Sequence, residues 1–487
     1  MLAYAPRQNR PIVAMEDQPL TTPQEVVLAQ LNQIVGASHV LTSADELLRF
    51  GRDWTRLHDP APCAIVLPAT VEEVQQLVCF ALEQKLSIVP SGGRTGLSGG
   101  AVAASGELVL ALDRLNQIGQ FNDIDRTVAC GAGVITQQLQ AFALDQGLYY
   151  PVDFASSGSS QIGGNIATNA GGIKVIRYGM TRDWVAGLKL VTGSGELLEL
   201  NRGLIKNNAA YDLRHLVIGS EGTLGIIVEA DMRLCRPPKD LSVMVLGVSS
   251  MQSLLRVLAT FQGSMQLNAF EFFSELALQK VVAHTNLQRP FADAAPFYAL
   301  LEFEQTQPAV MALAMELFEH CVGQGWVSDG VVSQSTSQAA TLWRLREDIS
   351  ETISRWSPYK NDLSTTVSQL PQFLAEVDDI VGRSYPDFEI VWYGHIGDGN
   401  VHLNILKPDN LPQEEFQARC AQVSTWVFEI VQRYGGSISA EHGVGLLKRD
   451  YLSYSRSTVE IELMRQIKQV FDPQGIMNPG KVFPESL

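Results

Sequence analysis

Of the 40 glycines in this 487-residue chain, 23 fall between Gly92 and Gly225. Glycine takes positive φ without steric penalty and lets backbone come close to a ligand. Such density therefore selects short strands and helices joined by tight turns over long regular elements. Two stretches are richest: residues 91–100 read S-G-G-R-T-G-L-S-G-G, and residues 151–172 read P-V-D-F-A-S-S-G-S-S-Q-I-G-G-N-I-A-T-N-A-G-G. Around them, 86–90, 108–112, 185–192 and 224–229 have strand composition. Residues 70–85 carry Val71, Val74, Val78 and Leu82 at helical spacing, and Thr70 with Glu73 predicts a capping box. A mixed α/β pattern this rich in glycine reads as a ligand cradle, against the alternative of a turn-rich β domain.

The length exceeds one ordinary core, so two or three domains are expected. Arg236-Pro237-Pro238 marks a boundary. Beyond it, helices are predicted at 252–261, 309–322 and 339–354 and strands at 242–248 and 297–303, an α+β pattern. A last helix, 459–470, leads into F-D-P-Q-G-I-M-N-P-G-K-V. The net charge of −16 disfavours nucleic acid as a partner, and no basic cluster overrides it. No run reaches the 18 or so apolar residues of a membrane span. The first 20 residues carry Arg7, Arg10, Glu16 and Asp17 without the apolar core of a secretory leader, and Met15 offers a second start. Cys63, Cys79, Cys130, Cys235, Cys321 and Cys420 are scattered, which predicts buried thiols in a reducing, cytoplasmic setting.

The glycines fit few phosphate motifs. No G-x-G-x-x-G occurs, which argues against a nicotinamide Rossmann domain. G-I-M-N-P-G-K-V at 475–482 lacks the Ser or Thr of a P-loop, and too little chain follows for its helix. What remains is a nest of backbone N–H groups in consecutive turns, with Asn165, Thr168, Asn169 and the serines of 156–160 as uncharged donors.

A second site is written at 389–406, E-I-V-W-Y-G-H-I-G-D-G-N-V-H-L-N-I-L. Asp398-Gly399 predicts a two-residue hairpin turn. That register puts His395 opposite His402, with Tyr393 and Asn404 on the same face, and Trp392, Ile396, Val401, Leu403 and Ile405 on an apolar back. Opposed imidazoles reach one divalent ion. Glu441 in S-A-E-H-G is a candidate third ligand, which leaves His442 free as a base. An exposed pair of histidines is the plainer alternative. Arg346 and Ser350, four apart on the predicted helix 339–354, and Lys360 in Y-K-N-D-L-S are the nearest candidate cations and donors for an anionic substrate.

The loops 91–100 and 151–172 with G-S-E-G-T-L-G-I at 219–226 resemble the vanillyl-alcohol-oxidase type of FAD-binding domain over about residues 61–236. With G-H-x-G-D-G-N-x-H and E-H-G added, nearly the whole chain after residue 50 resembles the FAD-linked 2-hydroxyacid dehydrogenases, closest to the D-2-hydroxyglutarate branch. The resemblance implies an α+β chain: an N-terminal helical extension over 1–56, a two-subdomain FAD domain over 57–236, a substrate and metal domain over 237–445, and a C-terminal segment, 446–487, returning to the FAD domain. Pro90, Gly92, Gly93, Arg94, Thr95, Gly96 and Ser98 would hold the pyrophosphate. Pro151, Asp153, Ser157, Ser160, Gly163, Gly164, Asn165, Thr168, Asn169 and Gly171 would flank the isoalloxazine and ribityl chain. Glu221, Gly222, Gly225 and Ile226 would approach the adenine end, joined by Asn478 and Lys481.

Arg94 stands where some members of the group attach flavin through a histidine, so FAD is expected to be noncovalent. The resemblance implies zinc or another divalent ion on His395, His402 and Glu441, with His442 as base. It places Arg346, Ser350, Lys360, Tyr393 and Asn404 around a small anionic 2-hydroxy acid, D-2-hydroxyglutarate or D-malate, with D-lactate and glycolate as alternatives. Ser350 stands where Thr is common and Asn361 where an aromatic is common, which touches chain-length preference. An electron-transfer flavoprotein or a quinone is the implied acceptor, and a homodimer remains open. The rival readings are a metal-free alcohol or sugar oxidase and a flavin- or metal-binding protein without turnover.

Overall fold

The computed structural model describes residues 23–55 and 58–484. The expectations about the first 20 residues, Met15 included, lie outside them. The architecture is α+β and rests on three sheets. The first orders Val40–Leu41, Ala64–Val66, Leu108–Ala111 and Ile88–Ser91, the last three parallel. Ala64–Val66 and Leu108–Ala111 are buried throughout, as a parallel sheet covered on both faces requires. The helix Val71–Gln84 packs Val74, Leu77 and Val78 onto it. Thr70 accepts from Glu73 N–H (3.1 Å), but the Glu73 carboxylate accepts from Ala69 N–H rather than Thr70 N–H, so the expected capping box closes one residue early.

The second sheet is antiparallel, in the order Ile118–Asn122, Thr127–Gly131, Gly225–Arg233, Val185–Thr192 and Leu197–Leu200. Val66 and Leu110 of the first sheet share one apolar cluster with Val128 and Ile226 of the second, so the two layers form one unit. The segment expected as an extension is part of that unit. Val40 pairs with Val66, and Leu31 and Val35 join the same core. The C-terminal segment also enters it: Met477 is fully buried, and Ile88 lies between Ile476 O and Asn478 N–H, each contact 2.7 Å.

The third sheet is wholly antiparallel, in the order Val327–Val332, Leu241–Val248, Phe297–Glu304, Leu267–Ser274, Glu389–His395, Asn400–Leu406 and Tyr359–Ser364. One face packs against the helices Met251–Ser264, Pro308–Gly323, Leu370–Ser384 and Gln413–Arg433. The other meets Glu275–His284 and Thr336–Glu347 and carries the polar residues described below. The helix expected over 339–354 is two, Thr336–Glu347 and Ile349–Ile353, joined at Asp348. Three of the six cysteines are buried, but Cys63 and Cys235 are half-buried and Cys79 is exposed, so buried thiols were only half the outcome. Among the described residues no helix is long and apolar enough to cross a membrane.

Candidate active site

The hairpin 389–406 has a four-residue turn, 396–399, in place of the two-residue turn expected from Asp-Gly. Ile396 is fully buried and pulls the turn inward. Gly399 takes φ +86°, and a Cβ there would stand 2.1 Å from Thr365 O. The register shifts by two: His395 pairs with Asn400, and Tyr393 rather than His395 faces His402. A shift of two preserves strand parity. His395, Tyr393, His402 and Asn404 therefore still share one face, with Trp392, Val401, Leu403 and Ile405 on the apolar back. The imidazoles lie 5.3 Å apart, centroid to centroid.

The neighbouring strands extend this polar face. Lys360 pairs with Asn404, and Asp362 pairs with His402. Asn361 points to the opposite, apolar side of the same strand, as its partner Leu403 does, so it does not line the site. From the loop after Gln413–Arg433, Glu441 Oε1 stands 3.6 Å from His395 Nε2, 3.8 Å from His402 Nε2 and 3.8 Å from His442 Nε2. These distances are too long for hydrogen bonds. Ligand atoms about 2.1 Å from a tetrahedral ion stand roughly 3.4 Å apart, so the convergence suits a metal. Asp362, His402, Glu441 and His442 each offer a ligand atom within 4.8 Å of the others. Burial drives the His402 pKa down to about 3, which leaves the neutral ring a metal requires.

Two carboxylates on this face went unread in the sequence. Glu271 accepts Nδ1–H of His395 (2.8 Å) through one oxygen and pairs with Arg346 Nη2 (2.9 Å) through the other. Burial lowers the His395 pKa, but the Glu271 charge and hydrogen bond outweigh it and hold the pKa well above its usual value. Asp362 accepts the backbone N–H groups of Glu441 (2.8 Å) and His442 (3.0 Å) and the side-chain amide of Asn400 (2.8 Å). It thereby fixes the E-H-G loop to the sheet. A signal existed for both. A lone Glu in the apolar run N-A-F-E-F-F and an Asp two residues after Lys360 are acids that a strand would bury. Lys448 was missed too; its ammonium is buried without a hydrogen-bond partner, in the fields of Asp362 and Glu221.

The five expected substrate contacts come together beside the histidines. Lys360 Nζ donates to Ser350 Oγ (3.0 Å), and the Tyr393 hydroxyl sits against the side chains of Ser350 and Asn404. The Arg346 guanidinium lies 4.6 Å from the centre of the Tyr393 ring, which is itself 5.0 Å from His402. Arg346 Nε is buried without a partner. Lys360 is solvent-exposed, yet surrounding protein lowers its pKa by desolvation.

The glycine loops form one surface. A Cβ on Gly93 would stand 2.2 Å from Ser159 O, and one on Gly92 would stand 3.7 Å from Gly164 Cα, so the two loops touch through bare backbone. Pro90 closes under Gly222, and Gly225 has φ +151° with Val191 O against it. Ser91 Oγ and Gln161 Oε1 on these loops, and Asn478 Oδ1 beside them, are buried without partners, as residues that await a polar ligand would be. Other expected contacts are already committed. Asn165 and Ser160 are spent on Thr136, and Thr168 bonds back to Gly164 O.

Asn169 accepts from Arg182 N–H, and Ser98 O accepts from Leu446 and Leu447. Asp153 O lies against Gly172. The Glu221 carboxylate accepts the N–H groups of Val444 (2.7 Å) and Gly445 (2.8 Å), its own N–H donates to Ala167 O (2.8 Å) and its carbonyl accepts from the Asn478 amide (2.7 Å), so its polar groups are committed within the protein. Arg94 is bidentate on Asp113 (2.7 and 3.0 Å). Lys481 is almost fully buried, and its pKa falls to about 8 through desolvation. Thr168, Asn169 and Glu221 share a cavity of about 160 Å³ with Glu441 and Gly443, so the cradle and the E-H-G loop border one space.

Comparison with known proteins agrees with this layout. Residues 62–201 match the family described as FAD binding domain, and residues 237–482 match the family described as FAD linked oxidases, C-terminal domain. A D-2-hydroxyglutarate dehydrogenase from Stutzerimonas stutzeri is 62% identical over 94% of this chain and 98% of its own length. One from Xanthomonas citri pv. viticola is 56% identical over 94% and 96%. The solved structure of p-cresol methylhydroxylase superimposes with a TM-score of 0.72 over 95% of this chain and 98% of its own, at 16% identity, a likeness of fold alone.

Proposed function

Because the chain belongs to the FAD-linked oxidase family, an FAD-dependent oxidoreductase acting on 2-hydroxy acids, we propose that its substrate is D-2-hydroxyglutarate, with D-malate as a shorter alternative. A divalent ion, zinc by its ligand set, would sit on His395, His402 and Glu441, and an electron-transfer flavoprotein or a quinone would take the electrons away. The observation that carries the substrate is the convergence of Arg346, Ser350, Lys360, Tyr393 and Asn404 on one face beside the histidine cluster. The identity of the two relatives supports the same choice.

When bound, FAD supplies the two-electron acceptor and the ion supplies a Lewis acid for the substrate hydroxyl. The chain supplies the rest. The unpartnered Nε of Arg346 would orient the carboxylate beside the reacting carbon, and Asn404, whose amide already donates to Val391 O and His402 O, would act on the site through the Tyr393 hydroxyl it touches. His442 accepts the hydroxyl proton at a ring nitrogen. Lys360, the cation with no carboxylate partner in the site, takes the distal carboxylate.

A monocarboxylate would leave the exposed Lys360 ammonium to Ser350 Oγ and water and would forgo the charge-assisted contact that a distal carboxylate makes. A charge-assisted contact is worth roughly 1.5–3 kcal/mol, so the diacid should lead D-lactate by about 10- to 150-fold in kcat/KM. Lys360→Met should erase most of that lead and leave D-lactate turnover unchanged. A variant that keeps the full lead removes Lys360 from the distal position.

A further inference from the structure

In this reading the flavin is held by one domain and the substrate by another, so their reacting atoms meet only if the two domains keep one registration. The segment after N-A-G-G crosses between them. Ile173 and Ile176 pack on the core clusters of the third-sheet domain. A Cβ on Gly397, in the hairpin turn, would stand 2.6 Å from Ile176 Cδ1, so turn and segment interlock. At the start of the segment, a Cβ on Gly171 would stand 3.1 Å from Glu441 Oε2.

Between these contacts Lys174 enters the other domain. Its ammonium pairs with Glu302, with side-chain exposures of only 10% and 5%, and lies 4.8 Å from the centre of the Trp343 ring. Trp343 Nε1–H in turn donates to Glu302 (2.9 Å). Trp343 stands one helical turn before Arg346 on Thr336–Glu347. The cation is thus fixed from two sides, by a carboxylate and by a ring face, and both belong to the framework that carries the substrate clamp.

We infer that Lys174 is a positioning residue whose buried pairing with Glu302 and Trp343 sets the distance between the flavin and the Arg346 helix. An apolar contact would hold the domains together but tolerate sliding. A buried ion pair with a directed hydrogen bond tolerates little, because displacement leaves a desolvated charge uncompensated. Transfer between held reactants falls about 10²-fold for a misplacement of about 1 Å.

The inference rests on the proposed function, and the test separates the two. The holoenzymes of Lys174→Met, Lys174→Arg and the double variant Lys174→Met/Glu302→Gln are compared with the unmutated protein. The double variant removes the stranded charge, and the amide oxygen that replaces the carboxylate still accepts from Trp343. It should keep its FAD and metal content and its melting temperature. Its limiting rate of anaerobic flavin reduction by D-2-hydroxyglutarate should fall 10- to 100-fold with KM within a few-fold, while dithionite reduces it as before. The change in the flavin spectrum on binding 2-oxoglutarate should shrink, and Lys174→Arg should recover part of rate and spectrum. A double variant with normal melting, normal spectral change and normal limiting rate makes Lys174 a structural contact only and overturns the inference. If the unmutated protein is not reduced by any 2-hydroxy acid, the functional reading fails and takes this inference with it.

Discussion

Arg346 and Glu271 form an ion pair, Nη2 to Oε2 2.9 Å, with side-chain exposures of 7% and 1%. The other Glu271 oxygen holds His395. One buried carboxylate therefore serves a candidate metal ligand and a candidate substrate clamp, and Arg346 is no longer the free cation that its place on a helix suggested. Glu271→Gln keeps the shape and removes the charge. Outer partners of metal-bound histidines are typically worth 10- to 100-fold in metal affinity, so zinc affinity measured by competition should fall by about that factor. KM for the diacid should change as well, because Arg346 loses its counter-charge. Unchanged zinc affinity would remove Glu271 from this role.

His442→Ala distinguishes ligand from base. Its ring nitrogens lie 3.8 Å from Glu441 and 3.7 Å from Asp362, close enough for either part. With His395, His402 and Glu441 as the ligands, the variant should retain its metal by elemental analysis and reduce its flavin about 10² to 10⁴ times more slowly, the usual worth of a positioned base. His395→Ala and His402→Ala should lose the metal and keep the flavin spectrum. A His442→Ala protein that arrives metal-free and reduces normally once reloaded exchanges the two roles.

Lys481 predicts a pH dependence of cofactor binding. Its pKa is depressed to about 8 by desolvation. The group is therefore charged below about pH 8, and its attraction for an anionic pyrophosphate is complete there. That attraction is lost as the pH rises through 8. FAD affinity, measured by fluorescence quenching on the apoprotein, should weaken between about pH 7 and 9.5, and Lys481→Met should flatten the curve. An unmutated curve already flat over that window places Lys481 away from the phosphates.

The family resemblance would put Arg94 at the loop position of a covalent histidine, and Asp113 holds its guanidinium. Acid precipitation should release all yellow colour into the supernatant. Flavin left in the pellet would contradict noncovalent attachment.

What the sequence made legible follows from periodicity. Strand parity put His395, Tyr393, His402 and Asn404 on one face even though the turn was read two residues too short, because a shift of two leaves the faces unchanged. The turn itself was misread because Ile396 is held by a distant core that no local pattern reports. The same limit hid Glu271. The carboxylate belongs to Leu267–Ser274, which lies beside the hairpin only through sheet order and more than 100 residues earlier in the chain. The glycine loops announced a cradle, but not that Asn165 and Ser160 spend their side chains on Thr136. Those are choices among equivalent donors that only packing makes.

Anaerobic mixing tests most directly whether this chain oxidises a D-2-hydroxy diacid onto its flavin. D-2-hydroxyglutarate should bleach the flavin absorbance to the reduced form and yield one equivalent of 2-oxoglutarate per flavin. D-lactate should do so with a second-order rate constant about 10- to 150-fold lower. Bleaching by D-lactate at an equal or greater rate would contradict the assignment, and a flavin that neither acid bleaches would remove the chain from 2-hydroxyacid chemistry altogether.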